Sequence, residues 1–166
     1  MSLAELYRFG QGVERDGEKA LYWLTLADSM GSTDAANTLG YLYATGEIVD
    51  FDLPRSLSYY ENAGAGGNID ASFSAGMVLL EINKAKSTTN QKADLEKAAN
   101  YFYLATKKGH AAAHFQYGFS RAIGRGIERS KAHSFVWLMI SELGGNKEAK
   151  NLNKGLLQSY SAEQKS

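Results

Sequence analysis

The spacing of apolar side chains along the chain follows the period of an α-helix. Apolar residues at positions 20, 23, 24 and 27 fall at i, i+3 and i+4 intervals, so they share one helical face. A second kind of helix carries the segment Leu39-Gly40-x-x-Tyr43. No stretch alternates apolar and polar residues between turn signals, as a half-buried strand would. The pattern therefore predicts an all-α protein.

The chain also repeats itself at a stride of 36 residues. A shift by 36 places Gly10 on Gly46 and Gly31 on Gly67 without a gap. A further shift of 42, which contains a 6-residue insertion, and another of 36 continue the series through Gly145. A stride of this size is typical of stacked helix-turn-helix units. We therefore expect four such units.

Residues at fixed places in each unit mark the helix ends. Four N-cap types, Asp16, Asp52, Asp94 and Ser130, precede the apolar spacing at equivalent positions, and glycines follow it. A glycine also recurs inside the other helix, at a cost of about 1 kcal/mol relative to alanine, which predicts a close helix–helix approach there. The structural repeat residues are Gly10, Gly31, Gly40, Gly46, Gly67, Gly76, Gly109, Gly118, Gly124, Gly145, Trp23 and Trp137.

This pattern resembles the Sel-one-like repeat family, a branch of the tetratricopeptide-like helical solenoids, over residues 3–149. The second unit matches its motif at Ala35, Leu39, Gly40, Tyr43, Gly46, Val49, Asp52, Tyr59, Ala63 and Gly67. The resemblance implies a right-handed α/α superhelical solenoid of about four helix-turn-helix repeats plus a C-terminal capping helix. We expect one domain over residues 1–166, with repeats at about 1–34, 35–70, 71–112 and 113–148 and a polar cap at 149–160.

Some positions depart from the motif. Ile82 and Ile48 stand where loop glycines belong, and residues 83–93 form either a longer loop or an extension of the preceding helix. The first unit begins in mid-helix at Leu3, which favours a chain truncated from a longer protein. Localisation therefore stays open between the cytoplasm and a bacterial periplasm, with a bacterial source favoured by resemblance to bacterial members.

The amino-acid composition argues against several classes of function. The 18 Lys and Arg residues balance 18 Asp and Glu residues, so no basic excess favours nucleic acid. Cysteine is absent, which excludes disulfides, thiolate catalysis and cysteine-based metal sites. The longest apolar run, residues 135–140, is too short for membrane insertion.

No catalytic or metal-binding pattern stands out. His110 and His114 have an i, i+4 spacing that could chelate zinc, but no carboxylate offers a convincing third ligand. His110 follows the helix-ending Gly109 and is expected in a turn, while His133 is expected at the surface. The G-x-G segments recur at the helix-to-helix turn and follow no strand, so they do not indicate a phosphate loop. We expect no enzyme activity, no metal and no cofactor.

Proteins resembling this family mostly act as adaptors that present a concave face, lined by the first helix of each pair, to a protein or peptide. Repeat register places Arg8, Asn37, Tyr41, Thr45, Phe73, Met77, Phe115 and Phe119 on that face. The alternative for each phenylalanine is a core position, whereas Tyr41 is expected to be exposed. We predict a non-catalytic adaptor for a protein or peptide. Recognition of cell-wall glycan or peptide by an exported bacterial protein is the alternative function, and the incomplete first repeat offers a route to self-association.

Overall fold

The chain is helical throughout the part that its computed structural model describes, residues 2–85 and 91–163. Within those ranges there is no strand, in agreement with the predicted all-α class. The helices are α1 (Leu3–Phe9), α2 (Gly17–Ser29), α3 (Thr33–Thr45), α4 (Leu53–Ala65), α5 (Ile69–Ala85), α6 (Gln91–Lys107), α7 (Ala111–Ile123), α8 (Lys131–Leu143) and α9 (Lys147–Glu163). They form two compact units, Met1–Val78 and Leu79–Ser166. No described helix has the length and hydropathy needed to cross a bilayer.

Three of the four predicted N-caps are confirmed. The side chains of Asp16, Asp52 and Ser130 each accept a hydrogen bond from the backbone N–H three residues later. The prediction for Asp94 is wrong because α6 begins earlier, at Gln91. Asp94 therefore lies inside the first turn, where its carboxylate faces the positive end of the helix dipole instead of capping it.

The helix-ending glycines have left-handed backbones. Gly10, Gly46 and Gly124 cap α1, α3 and α7 at φ of 70°, 72° and 75°. The glycines that follow the other helices share this region: Gly31, Gly67, Gly109 and Gly145. Ile48 has a φ of 58°, and Gly12 and Gly126 occupy the same repeat position with similar values. The backbone therefore keeps the left-handed turn even where the motif glycine is missing.

The recurrent mid-helix glycines allow two helices to approach each other closely, as expected. A Cβ at Gly40 would lie 2.7 Å from Cδ1 of Tyr60, and one at Gly118 would lie 2.9 Å from Cγ of Leu138. In each helix pair a buried serine also donates to the glycine carbonyl: Ser56 to Gly40 and Ser134 to Gly118, both at 2.8 Å. The contact is thus a recurring interlock of glycine, serine and a large apolar side chain.

Small and aliphatic side chains form one buried cluster of the first unit, and several large aromatic rings lie at its edge. Its buried cluster consists of Ala4, Leu24, Ala35, Leu39 and Leu42, with Trp23 packed against it. Tyr43 is half-buried and stacks on Tyr59 with centroids 5.6 Å apart. In the second unit Trp137 is likewise half-buried and contacts the rings of His114 and Tyr117.

The two chain ends differ from expectation in detail. Helix α1 begins at Leu3, where Ser2 and Glu5 form a reciprocal capping box. In α9, Asn153 was expected on a wet outer face, yet it is 4% exposed and donates to Glu142 at 2.9 Å. The face that packs on α8 therefore includes this amide.

The helices that flank the insertion are longer than their counterparts in other repeats. Helices α5 and α6 contain 17 residues each, against 13 in α3 and α4. Positions 83–85 extend α5 and positions 91–93 begin α6, while the rest of the expected loop, 86–90, lies outside the described residues.

Candidate functional site

A cleft in the first unit brings together three of the predicted groove residues. Its volume is about 280 Å³. Helix α1 contributes Arg8, α3 contributes Asn37 and Tyr41, and α5 contributes Asp70 and Ser74. The repeat register that placed the first three on one face is thus consistent with their shared cleft.

Arg8 is held rigidly at the edge of this cleft by a carboxylate from a distant part of the chain. Its Nε and Nη2 donate to the two carboxylate oxygens of Glu47, at 3.0 and 2.7 Å. This hydrogen bonding raises the pKa of Arg8 and lowers the pKa of Glu47, so both groups stay charged. The cation at the cleft is therefore neutralised and fixed within the protein itself.

The Tyr41 ring packs against the Arg8 guanidinium. The guanidinium carbon of Arg8 lies 5.1 Å from the centroid of the Tyr41 ring and 4.8 Å from that of Phe9. Tyr41 is nevertheless 44% exposed. Beside it Tyr60, which is 5% exposed, forms the floor, and burial raises the pKa of this phenol. The cleft thus offers an exposed aromatic ring over a neutral phenol.

The other predicted groove residues of the first unit lie outside the cleft lining. Thr45 is exposed at the end of α3, where its hydroxyl donates to the Tyr41 carbonyl at 3.0 Å. Phe73 is half-buried and Met77 is exposed on α5.

In the second unit the predicted pair Phe115 and Phe119 forms a flat aromatic surface on α7. Their ring centroids are 6.1 Å apart and their planes differ by 5°. Both side chains are half-buried, so neither the core position nor the fully exposed position describes them. The guanidinium of Arg125 lies 5.1 Å from the Phe119 centroid.

Comparison with known proteins gives the family. The model of the Sel1 repeat matches residues 1–32, 33–68, 89–110 and 111–138. The chain belongs to the Sel1 repeat family. This confirms the resemblance drawn from the repeat glycines and aromatic residues, and with it the helical solenoid fold class. The comparison with curated proteins gives no match.

Two solved Sel1-like structures are similar to this chain. A Sel1 repeat protein from Oxalobacter formigenes is 33% identical with a TM-score of 0.78, covering 93% of this chain and 43% of its own. The protective antigen c5321, present in uropathogenic Escherichia coli strains and displaying an SLR fold, is 20% identical with a TM-score of 0.45, covering 91% and 39%. The chain thus spans less than half the length of each.

Membership of the Sel1 repeat family indicates a general class of function. Sel1 repeat proteins generally act as protein-interaction modules, and their fold is typically that of a non-catalytic scaffold. Within the described residues, no three His, Cys, Asp or Glu side chains are grouped so that they could hold a metal ion.

The histidines of this Sel1 chain have structural partners. His110 is the N-cap of α7 and accepts a hydrogen bond at Nδ1 from the Ala113 N–H, at 3.2 Å. His114 stacks on Trp137 with a centroid separation of 5.7 Å. His133 is exposed, as predicted, beside the Ser130 hydroxyl. The i, i+4 spacing of the first two therefore reflects capping and stacking.

Sequence reasoning missed several side chains at these sites. Ser56 and Ser134 occupy the same repeat position, so the register contained a signal for the glycine–serine interlock. Glu47 and Arg125 also share a repeat position, but because their charges are opposite, the sequence did not indicate that both lie near the same aromatic position of their repeats. Only the folded chain shows that one neutralises Arg8 whereas the other lies on Phe119.

Proposed function

We propose that this chain is a non-catalytic interaction module that holds a protein or peptide through two surfaces, the cleft of α1, α3 and α5 in the first unit and the aromatic surface of α7 in the second. The observation that carries the proposal is the exposed Tyr41 ring, already fixed by the Arg8–Glu47 pair. Aromatic and arginine side chains dominate most interfaces, and an anchor that is ordered beforehand loses little entropy on binding.

The polar groups around Tyr41 suit the backbone of a peptide. Asn37 lines the same cleft, and its amide can both donate to and accept from a peptide group. Ser74 and Thr38 also line it and add hydroxyl groups. Because Arg8 is neutralised by Glu47, the cation at this cleft does not select an anionic ligand, and Tyr41 offers an apolar contact.

Selection from a displayed library of random dodecapeptides on the immobilised protein tests the proposal. We expect Tyr41→Ala, and separately Phe115→Ala, to weaken the selected peptides at least tenfold while the melting temperature stays nearly unchanged. Tyr22→Ala is the matched control, because Tyr22 is 62% exposed on α2 and lines neither site. A large fall in the melting temperature of Tyr41→Ala with binding intact would show that Tyr41 is a structural residue.

Recognition of cell-wall glycan or peptide is the second candidate. An exposed aromatic ring beside an amide and a carboxylate, as in Tyr41, Asn37 and Asp70, is a combination that suits sugar stacking and hydroxyl binding. Soluble peptidoglycan fragments added to the same selection separate the candidates. Displacement of the selected peptides by these fragments, with loss of fragment binding in Tyr41→Ala, would favour the glycan reading.

A further inference from the structure

We infer that Arg125, with Gln116 and the Phe115–Phe119 pair, forms a subsite in the second unit for a carboxylate that is carried next to an apolar side chain. The inference rests on the proposed function, because the carboxylate would belong to the bound peptide. It adds the chemistry of the partner: an acidic segment with an apolar neighbour.

The charge of Arg125 has no carboxylate partner among the described residues. Its Nη2 donates to the neutral amide oxygen of Gln116, at 3.2 Å. Its Nε is buried and makes no hydrogen bond with any described residue. Burial lowers the pKa of Arg125, so its surroundings disfavour the cation. Placing a charge in such a position is costly unless an opposite charge completes it.

The fold does not require an arginine at this position. The equivalent residues of the first two units are Gln11 and Glu47. The neighbouring arginines donate to backbone carbonyls of the turn: Arg121, whose Nε is also buried without a hydrogen bond to any described residue, donates through Nη1 to the Glu128 carbonyl at 3.3 Å, and Arg129 donates to the Ala122 carbonyl at 3.0 Å.

The role of Arg129 recurs in the first unit, since Arg15 occupies the same repeat position and donates to the Arg8 carbonyl at 3.1 Å. Among the described residues, Arg125 donates to no backbone carbonyl, and its side chain donates only to Gln116. Turn formation therefore explains the two neighbours and leaves Arg125 unexplained.

The aromatic surface orients the guanidinium for a ligand. The Arg125 group lies over Phe119, which stacks on Phe115. A guanidinium on an aromatic face keeps its N–H edge free for in-plane, bidentate bonds to a carboxylate. Its Nε is buried, but Arg125 remains partly exposed, so a carboxylate would bond to the terminal nitrogens Nη1 and Nη2. An apolar side chain next to the carboxylate would then contact the phenylalanine rings.

Tyr41, the residue of the first unit that is equivalent to Phe119, also lies beside an arginine, but that arginine has a carboxylate partner. Tyr41 also carries a guanidinium, that of Arg8, but Glu47 occupies its N–H edge. At the repeat position of Glu47 the second unit has Arg125 itself. An anionic group is thus supplied by the protein in the first unit and must come from a ligand in the second.

Titration of the protein labelled with ¹⁵N-arginine tests the subsite, read from the Nε–Hε signals. The probes are N-acetyl-Phe-Glu-amide, N-acetyl-Phe-Gln-amide, N-acetyl-Phe-Ala with a free C-terminus, and inorganic phosphate. We expect the glutamate probe to shift the Arg125 signal saturably and to bind at least tenfold more tightly than the glutamine probe. The Arg129 signal serves as an internal control and should not move.

Variants give a second readout. Arg125→Gln should abolish the preference for glutamate over glutamine, whereas Arg125→Lys should keep part of it, because the charge remains and the fork is lost. A response to the free C-terminus as strong as that to the glutamate side chain would identify the source of the carboxylate as either group. The wild-type comparison of glutamate with glutamine stands even if a variant fails to fold.

The inference is overturned by equal responses to the glutamate and glutamine probes, by no saturable shift, or by an unchanged preference in Arg125→Gln. A response to phosphate alone would also overturn it and point to a phosphoryl ligand. These failures leave the proposed function intact if dodecapeptide binding still depends on Tyr41. If neither Tyr41→Ala nor Phe115→Ala changes the affinity for the selected peptides, the proposed function is overturned instead.

Discussion

Replacement of Gly40 by alanine should destabilise the protein, although alanine is the better helix former. Gly40 lies inside α3, where the exchange alone would contribute about 1 kcal/mol of stability. The added Cβ would lie 2.7 Å from Cδ1 and 2.9 Å from Cγ and Cε1 of Tyr60. Carbon atoms normally stay about 3.5–4.0 Å apart, so the ring must move by nearly an ångström.

Tyr60 has little room for that movement. The side chain is 5% exposed, and Ser56 from the same helix donates to the Gly40 carbonyl at 2.8 Å. Overpacking of this kind costs about 1–3 kcal/mol. After the gain in helix propensity, we expect the free energy of unfolding to fall by about 1–2 kcal/mol, since three ring atoms clash at once.

Gly155→Ala is the matched control for this measurement. Gly155 lies inside α9 and has no atom within 4 Å of the position of an added Cβ. The same substitution should therefore raise the free energy of unfolding by up to about 1 kcal/mol. Urea unfolding followed by far-ultraviolet circular dichroism measures both. A Gly40→Ala protein as stable as Gly155→Ala would refute the close-approach explanation.

Three further predictions concern individual hydrogen bonds. Ser56→Ala and Ser134→Ala should each lower the free energy of unfolding by about 1 kcal/mol in urea titrations, because each removes one buried hydrogen bond; no loss in either would show that the bond contributes nothing. Glu47→Gln should lower stability at pH 7 by about 1 kcal/mol or less, given the partial exposure of its pair with Arg8. Arg8 lowers the pKa of Glu47 from 4.5, so the pair stabilises the fold above that pH. This stabilisation is lost as the pH falls through the lower pKa that Glu47 has in the folded protein. The unfolding free energies of wild type and Glu47→Gln, measured by urea titration, should therefore converge in acid, and a constant difference between them would contradict this. His110→Asp should raise the melting temperature, because aspartate is a better N-cap and suits the helix dipole; a lower value would indicate that the ring has another role.

Local features of this Sel1 chain could be predicted from the sequence because their causes are local. A cap depends on one side chain and the amide three residues later, which is why Asp16, Asp52 and Ser130 were predictable. Asp94 was not, since the helix that contains it begins three residues earlier, in the region altered by the insertion. Left-handed helix ends are equally local, and the glycines at 10, 46 and 124 marked them.

The side-chain environment of the candidate sites was decided by tertiary structure. Arg8 and Glu47 are 39 residues apart, and their pairing depends on how α1 packs beside the turn after α3. The helices, their repeat and most of their ends could be predicted from the sequence, because they depend on residues close together along the chain, whereas the start of α6 could not. Packing decided that Arg8 is neutralised while Arg125 is half-buried with no carboxylate partner in the part of the chain that the structure describes, because electrostatic energies depend on distances between side chains that the folded chain brings together.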